Sequence, residues 1–406
     1  MITRRKFLKD SLSWIGIGAT ATFMPKLLSA AELSDGTKYA ATLEALPQKK
    51  PLIKRTYRPI NFETPTEYFG DVFTPNDAFF VRWHLTNVPE INPNEWRLNL
   101  SGGNKVSASF TLDELKKEFK QIELAAVCQC GGNRRGFSVP HVPGIQWGNG
   151  AMGNAKWKGV RLKDVLERVG IPDGTIEVAF NGADLPVLDK TPDFVKSIPI
   201  QKALHPDTLI AFEMNGEPLP HLNGGPARIV VPGWIATYWM KKVTEINLIS
   251  EPNQSFWMST AYRTPKGMFS TDNIFPTQEK GKDSAPVTEM LVNSLITNLS
   301  DGQSVPVESK VQIKGMAWDG GAGIKQVEIS LDDGISWVKS QLGRDYGRYS
   351  FRQWQYIFSA NRTGPLTVLV KATSNAGVTQ PFNLVFNPAG YHNNIVQRVN
   401  LEVTPT

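Results

Sequence analysis

Leu124-Ala-Ala-Val-Cys-Gln-Cys-Gly-Gly-Asn-Arg-Arg-Gly136 runs from an apolar strand into a glycine-rich turn that carries two arginines. A cysteine at a strand end that opens into such a turn faces a cavity. Neighbouring guanidinium groups favour its thiolate. Cys130 can therefore be a thiol nucleophile, a soft-metal ligand or a buried structural thiol. The only other cysteine, Cys128, lies two residues away and so on the same face of the strand. Two cysteines exclude a disulfide scaffold and any cluster held by four thiolates, and with no C-x-x-C-H the chain attaches no c-type haem itself.

Outward from this turn the chain divides by texture. Between about 60 and 285 it mixes short strands and helices. Val160-Arg-Leu-Lys-Asp-Val-Leu-Glu-Arg-Val169 has helical spacing and stops at Gly170, and Thr175-Ile-Glu-Val-Ala-Phe180 alternates as a strand. Beyond about 285 only alternating segments remain: Val311–Trp318, Lys325–Leu331, Phe351–Ile357 and Pro365–Lys371. Asp332-Asp333-Gly334 turns the chain toward Ser336-Trp-Val338. The expected fold class is α+β over 61–285, followed by an all-β immunoglobulin-like sandwich over 286–406. Residues 31–60, rich in Lys and Pro, read as an extended, solvated lead-in.

Residues 1–30 read as an address. Thr3-Arg4-Arg5-Lys6-Phe7 precedes an apolar run from Leu12 to Met24 and the small residues Ser29-Ala30-Ala31. The run is too short to span a bilayer, and the paired arginines match a twin-arginine export signal. That implies a periplasmic protein, exported already folded around a complex cofactor, with no stable membrane anchor. Five basic residues and Asp10 place +4 of the chain's +6 in this segment, so the rest is nearly neutral. Nucleic-acid binding, which needs a concentrated basic surface, is excluded.

The turn at Cys130 resembles the sulfite oxidase family of molybdopterin enzymes, whose motif is C-[AS]-G-N-R. Phe79-Phe-Val-Arg-Trp-His84, Gly144-Ile-Gln-Trp147, Asn154-Ala-Lys-Trp157, Gly159–Leu166, Asn181-Gly-Ala-Asp184, Glu213–Pro220 and Gly225–Gly233 follow the family's order and spacing over roughly residues 60–400. The resemblance implies one molybdenum-molybdopterin per chain, with Cys130 as the metal's thiolate ligand and Cys128 structural. It implies cofactor contacts from Phe80, Arg82, His84, Asp184, Arg228, Lys241 and Lys242. Asn223 stands where animal members place a second pterin-binding histidine. The substrate side is expected to use Arg82, Arg135 and a third arginine, Arg348, from the C-terminal domain, because forked guanidinium donors suit a small oxyanion. Tyr262 matches the active-site tyrosine, and Trp147 walls the pocket.

The implied reaction is that of a sulfite dehydrogenase: sulfite + water → sulfate + two electrons + two protons. The electrons would pass to a periplasmic c-type cytochrome, and the C-terminal domain would form a homodimer. The alternatives are the sulfane dehydrogenase subunit of a thiosulfate-oxidising complex, a periplasmic methionine-sulfoxide reductase subunit (against which residues 300–400 argue), and a non-enzymatic sandwich-bearing binding module.

Overall fold

The computed structural model describes residues 42–102, 106–272 and 283–405. The export signal expected over 1–30 lies outside the described residues. Among the described residues no helix is long and apolar enough to cross a membrane.

The described residues are mostly sheet, with few and short helices among them. Of the segment expected to be a solvated lead-in, the described residues 42–60 are extended, with Leu46, Lys49 and Leu52 buried and much of the remainder exposed. Thr42–Ala45, Pro51–Thr56, Asn61–Glu63 and Val81–Arg82 form one antiparallel sheet. Leu46 and Leu52 bury against Phe62, Val81 and Trp83. Arg55 pairs with the buried Glu63 at 2.7 Å, and Glu63 also accepts from the Gly148 and Gly150 amides at 2.8 and 2.7 Å. Arg55 of the lead-in thus helps to fix, through Glu63, the loop that carries Trp147.

Two five-stranded sheets follow. One runs in the order Lys196–Pro199, Glu177–Gly182, Val243–Ile249, Arg97–Gly102, Val106–Thr111, with a single parallel pair between Val243–Ile249 and Arg97–Gly102. The other places Met152–Arg161 between Gln121–Gln129 and Leu209–Met214, and Arg228–Val230 also pairs with the latter strand. The helix expected from Val160 begins at Leu162. Val160 is held in the sheet between Ile210 and Gln121, so the helix starts only where that pairing ends. Its Leu162, Val165 and Leu166 then face the core at helical spacing. Leu112–Glu118 starts at a capping box, with Thr111 Oγ1 accepting from the Glu114 amide and the Glu114 carboxylate accepting from the Thr111 amide. The strand expected at 175–180 spans Glu177–Gly182, because Thr175 is tied into a turn by its hydroxyl donating to the Pro172 carbonyl.

After Ser284–Pro286, which pairs with Arg263–Pro265, the chain enters an all-β domain. Asn293–Ile296, Lys310–Trp318, Arg352–Ser359 and Gln341–Leu342 make one sheet. Gln303–Pro306, Gln397–Thr404, Gly364–Ser374, Ile324–Ser330 and Val338–Lys339 make the other. Inward residues of both, such as Ile313, Val327, Val368 and Leu401, fill one core. The first domain's larger core continues through Leu295, Met316, Trp318, Tyr349 and Phe351, so the domains meet on an apolar seam. The Cys130 turn lies along it, with Arg134 Nη1 donating to the Ile395 carbonyl at 2.7 Å.

Candidate active site

The edge strand Gln121–Gln129 delivers Cys130 to the seam, where its amide donates to the Ala151 carbonyl at 2.9 Å. The turn then doubles back. Arg135 donates its amide to the Gly132 carbonyl, and its guanidinium lies over Gly132, where a Cβ would sit 2.5 Å from it. Arg134, Tyr262, Lys242 and His392 all adopt left-handed φ (66°, 58°, 48° and 58°), a strained state that persists where packing over-determines it. Cys130 is buried and opens on two cavities that share it with Arg82 and Tyr262.

The inner cavity is walled by Phe80, Arg82, His84, Cys128, Asn223, Arg228, Lys241 and Tyr262, among others, and among the described residues no Asp or Glu lines it. Arg228, 3% exposed, is held between the Trp157 and Trp239 rings, with Nη1 donating to the Asn223 carbonyl at 2.8 Å and Nη2 to the Trp239 carbonyl at 3.0 Å. Burial lowers its pKa, and no carboxylate relieves it. Burial, helped by Arg228, brings the Lys241 pKa down to about 8, although Asp184 opposes this. His84 stacks on Phe194 and bonds the Tyr262 hydroxyl through Nε2. Burial first, then Arg82, Lys241 and Lys196, hold its pKa well below the usual imidazole value, so the ring is neutral. Burial raises the Tyr262 pKa against the pull of Arg82. It also raises that of the Cys128 thiol, whose sulfur is 3.9 Å from Arg228 Nη2.

The outer cavity opens from the same thiol and is walled by Arg82, Arg135, Trp147, Trp257, Tyr262 and Tyr391. Two guanidinium groups at the mouth of a mostly apolar cavity can hold a small oxyanion.

Of the residues expected at the site, the structure brings Phe80, Arg82, His84, Cys130, Asn223, Arg228, Lys241 and Tyr262 together at the inner cavity, and Arg82, Arg135 and Trp147 at the mouth. Asp184 is buried behind Lys241 and is not on the wall. Lys242 is not brought to it either: Nζ donates to His221 Nδ1 at 3.0 Å and to the Gly225 carbonyl at 2.8 Å. Arg348 does not reach the mouth. Its half-exposed side chain pairs with Asp207 at 3.0 Å and lies over Tyr349, because that carboxylate on the outer surface captures it. Sequence reasoning missed Lys49 and Tyr391. Lys49 Nζ donates to Asn223 Oδ1 at 2.6 Å and to the Asn76 and Phe79 carbonyls, while Asn223 Nδ2 donates to the Phe80 carbonyl. Lys49 lies in a charged run that looks solvated. Tyr391 lies in Asn387-Pro-Ala-Gly-Tyr-His-Asn-Asn394, where a polar cluster interrupting a β domain was the available signal.

An oxidoreductase molybdopterin binding domain matches residues 84–257, and a Mo-co oxidoreductase dimerisation domain matches residues 284–404. The chain is 34% identical over 402 residues to mitochondrial sulfite oxidase of Homo sapiens, covering 92% of this chain and 71% of that protein. The chain belongs to the sulfite oxidase family. Sulfite oxidase of Arabidopsis thaliana is 32% identical over 88% of this chain and 95% of its own. The mitochondrial sulfite oxidase of Drosophila melanogaster is 37% identical over 88% of this chain, which spans 64% of that protein's length. The sulfane dehydrogenase SoxCD of Paracoccus pantotrophus shares the fold, with a TM-score of 0.71 and 22% identity over 96% of each chain.

The residues present fit the family's molybdenum-molybdopterin cofactor. Arg228 Nε and His84 Nδ1 are buried without a hydrogen-bond partner, and both residues line the inner cavity, which carries cations and no acid. An anionic, hydrogen-bonding ligand satisfies both. Among the described residues no group of three His, Cys, Asp or Glu could hold a metal alone, so a metal at Cys130 needs further ligands from an organic group.

Proposed function

We propose that this chain is a sulfite dehydrogenase that oxidises sulfite to sulfate. One observation carries the reading: the cationic inner cavity and the two-arginine mouth meet at a single thiol, Cys130, between Arg82 and Tyr262. Arg228 and Lys241 would hold the anionic end of the cofactor, His84 and the Asn223 region its polar rim, and Cys130 its metal. When bound, the cofactor supplies the oxygen-atom and two-electron chemistry. Arg82 and Arg135 bind and orient the oxyanion and stabilise charge as sulfate forms. Tyr262, hydrogen-bonded to neutral His84, keeps its proton at its hydroxyl beside Cys130. Trp147 and Trp257 keep water from the reacting face.

Export to the periplasm, a c-type cytochrome as electron acceptor and a homodimer through residues 284–404 complete the reading. They are supported by the paired arginines of residues 1–30, the lack of a haem-attachment motif and the match to a dimerisation domain. We read that domain's two sheets as an immunoglobulin-like sandwich. The test is molybdenum content together with sulfite-dependent reduction of cytochrome c by purified holoprotein. Turnover only with protein-bound sulfur would replace this reading by that of a sulfane dehydrogenase, and protein carrying neither molybdenum nor pterin would end it.

A further inference from the structure

We propose that Tyr391, supplied by the C-terminal domain, is a positioning residue of the oxyanion site: its ring holds the Arg135 guanidinium at the mouth. The inference rests on reading that mouth as an anion site. The guanidinium carbon lies 5.3 Å from the Tyr391 ring centroid, within the range of cation–π attraction. The same ring stacks on Tyr262, with centroids 5.5 Å apart and planes 20° from parallel. One aromatic ring thus touches both the phenol and the cation that border Cys130.

The remaining contacts of Arg135 leave it available. Nε donates to the Ala389 carbonyl at 2.8 Å and Nη1 to the Ile145 carbonyl at 3.2 Å, two of its five N–H groups. Backbone carbonyls fix its direction without neutralising its charge. The supporting segment is itself locked. Asn387 Oδ1 accepts from the Tyr391 amide, and Asn387 Nδ2 donates to the Tyr391 carbonyl. Asn393 Nδ2 donates to the Arg134 carbonyl, and the His392 amide to the Gly131 carbonyl. At Gly390 a Cβ would lie 2.8 Å from Arg135 Cγ and 2.6 Å from Val142, so only glycine lets the arginine stem pass. The second domain therefore contributes a ring to the mouth and not the third charge expected at Arg348.

The test uses holoprotein in three forms: wild type, Tyr391→Leu and Tyr391→Phe. Inorganic sulfate binding is measured by calorimetry, sulfite turnover by steady-state kinetics, and molybdenum content is measured in each form. Tyr391→Leu is expected to weaken sulfate binding and raise the sulfite KM about three- to tenfold, with kcat falling less than KM rises. Tyr391→Phe, which keeps the ring, recovers most of the affinity. Wild-type affinity and KM in Tyr391→Leu overturn the proposal, as do lost molybdenum, a fall confined to kcat, or Tyr391→Phe as weak as Tyr391→Leu. Wild-type protein that binds sulfate but does not oxidise sulfite sinks the proposed reaction, while the sulfate titration still decides the role of Tyr391. Wild-type protein that binds no sulfate overturns the anion site and with it the role of Tyr391, while sulfite turnover still decides the reaction.

Discussion

Replacing Arg228 by methionine tests whether the inner cavity is built for an anion. The guanidinium is fully enclosed, its centre 5.2 Å and 5.7 Å from the Trp157 and Trp239 ring centroids, and its Nε has no partner. Arg82 and Lys241 share the cavity with it, with no acid on the wall. Methionine keeps much of the length and removes the charge. A hydrogen bond to a charged group in a site shielded from water contributes about 1.5–3 kcal/mol, so its loss weakens cofactor binding about 10- to 150-fold. The Asn223 and Trp239 carbonyls also lose their donor, at about 1–3 kcal/mol in stability, so Tm is followed in parallel. The readout is molybdenum per chain and released-pterin fluorescence, before and after long dialysis. Arg228→Met should lose both during dialysis. Arg228→Lys, which restores the charge but not the fork, should fall between. A folded Arg228→Met protein that keeps wild-type molybdenum and pterin through dialysis would refute the reasoning.

Cys130→Ser should abolish sulfite oxidation and remove the protein thiolate's Mo–S contribution from the X-ray absorption spectrum, whereas Cys128→Ser should keep that contribution; the reverse pattern would show that the ligand is misassigned. Arg135→Lys should raise the sulfite KM several-fold, because a point charge cannot reproduce the fork. Arg348→Ala should change KM less than twofold and stability by about 1 kcal/mol, since it removes a half-exposed ion pair and one exposed ring contact; a large KM effect would return Arg348 to the mouth. Burial lowers the His392 pKa from 6.5 to about 4. The unfolded chain therefore binds that proton first, and about 3 kcal/mol of stability, fully present above pH 6.5, is lost as pH falls toward 4. His392→Asn, which tolerates the left-handed backbone there, should flatten the fall of Tm across that window. Equal slopes in variant and wild type would contradict this.

Much of the site was legible because its residues sit in short, ordered motifs. Phe79–His84 and Cys130–Arg135 each carry two or more site residues on one stretch of backbone, so local sequence fixes their mutual placement. The all-β character of the later chain was equally legible, because period-two alternation without helical spacing persists from Val311 onward, where the strands form two sheets over one core. What failed did so where partners are distant. Lys49 looks like one more charge in a Lys/Pro-rich run until Asn223, 174 positions away, accepts its hydrogen bond. Lys242 is adjacent to Lys241, yet a left-handed backbone at 242 turns its side chain to His221.

The amino-acid string by itself determined the thiol, the arginine-bearing turn that follows it and the kind of ligand such groups attract, because these depend on residue type and on spacing within a few positions. Only the folded chain decided which cations stand without a counter-charge, that Asp207 takes Arg348, and that a tyrosine of the second domain lines the mouth. Those outcomes follow from which surfaces are left free once two cores have packed against each other, and no local pattern encodes that.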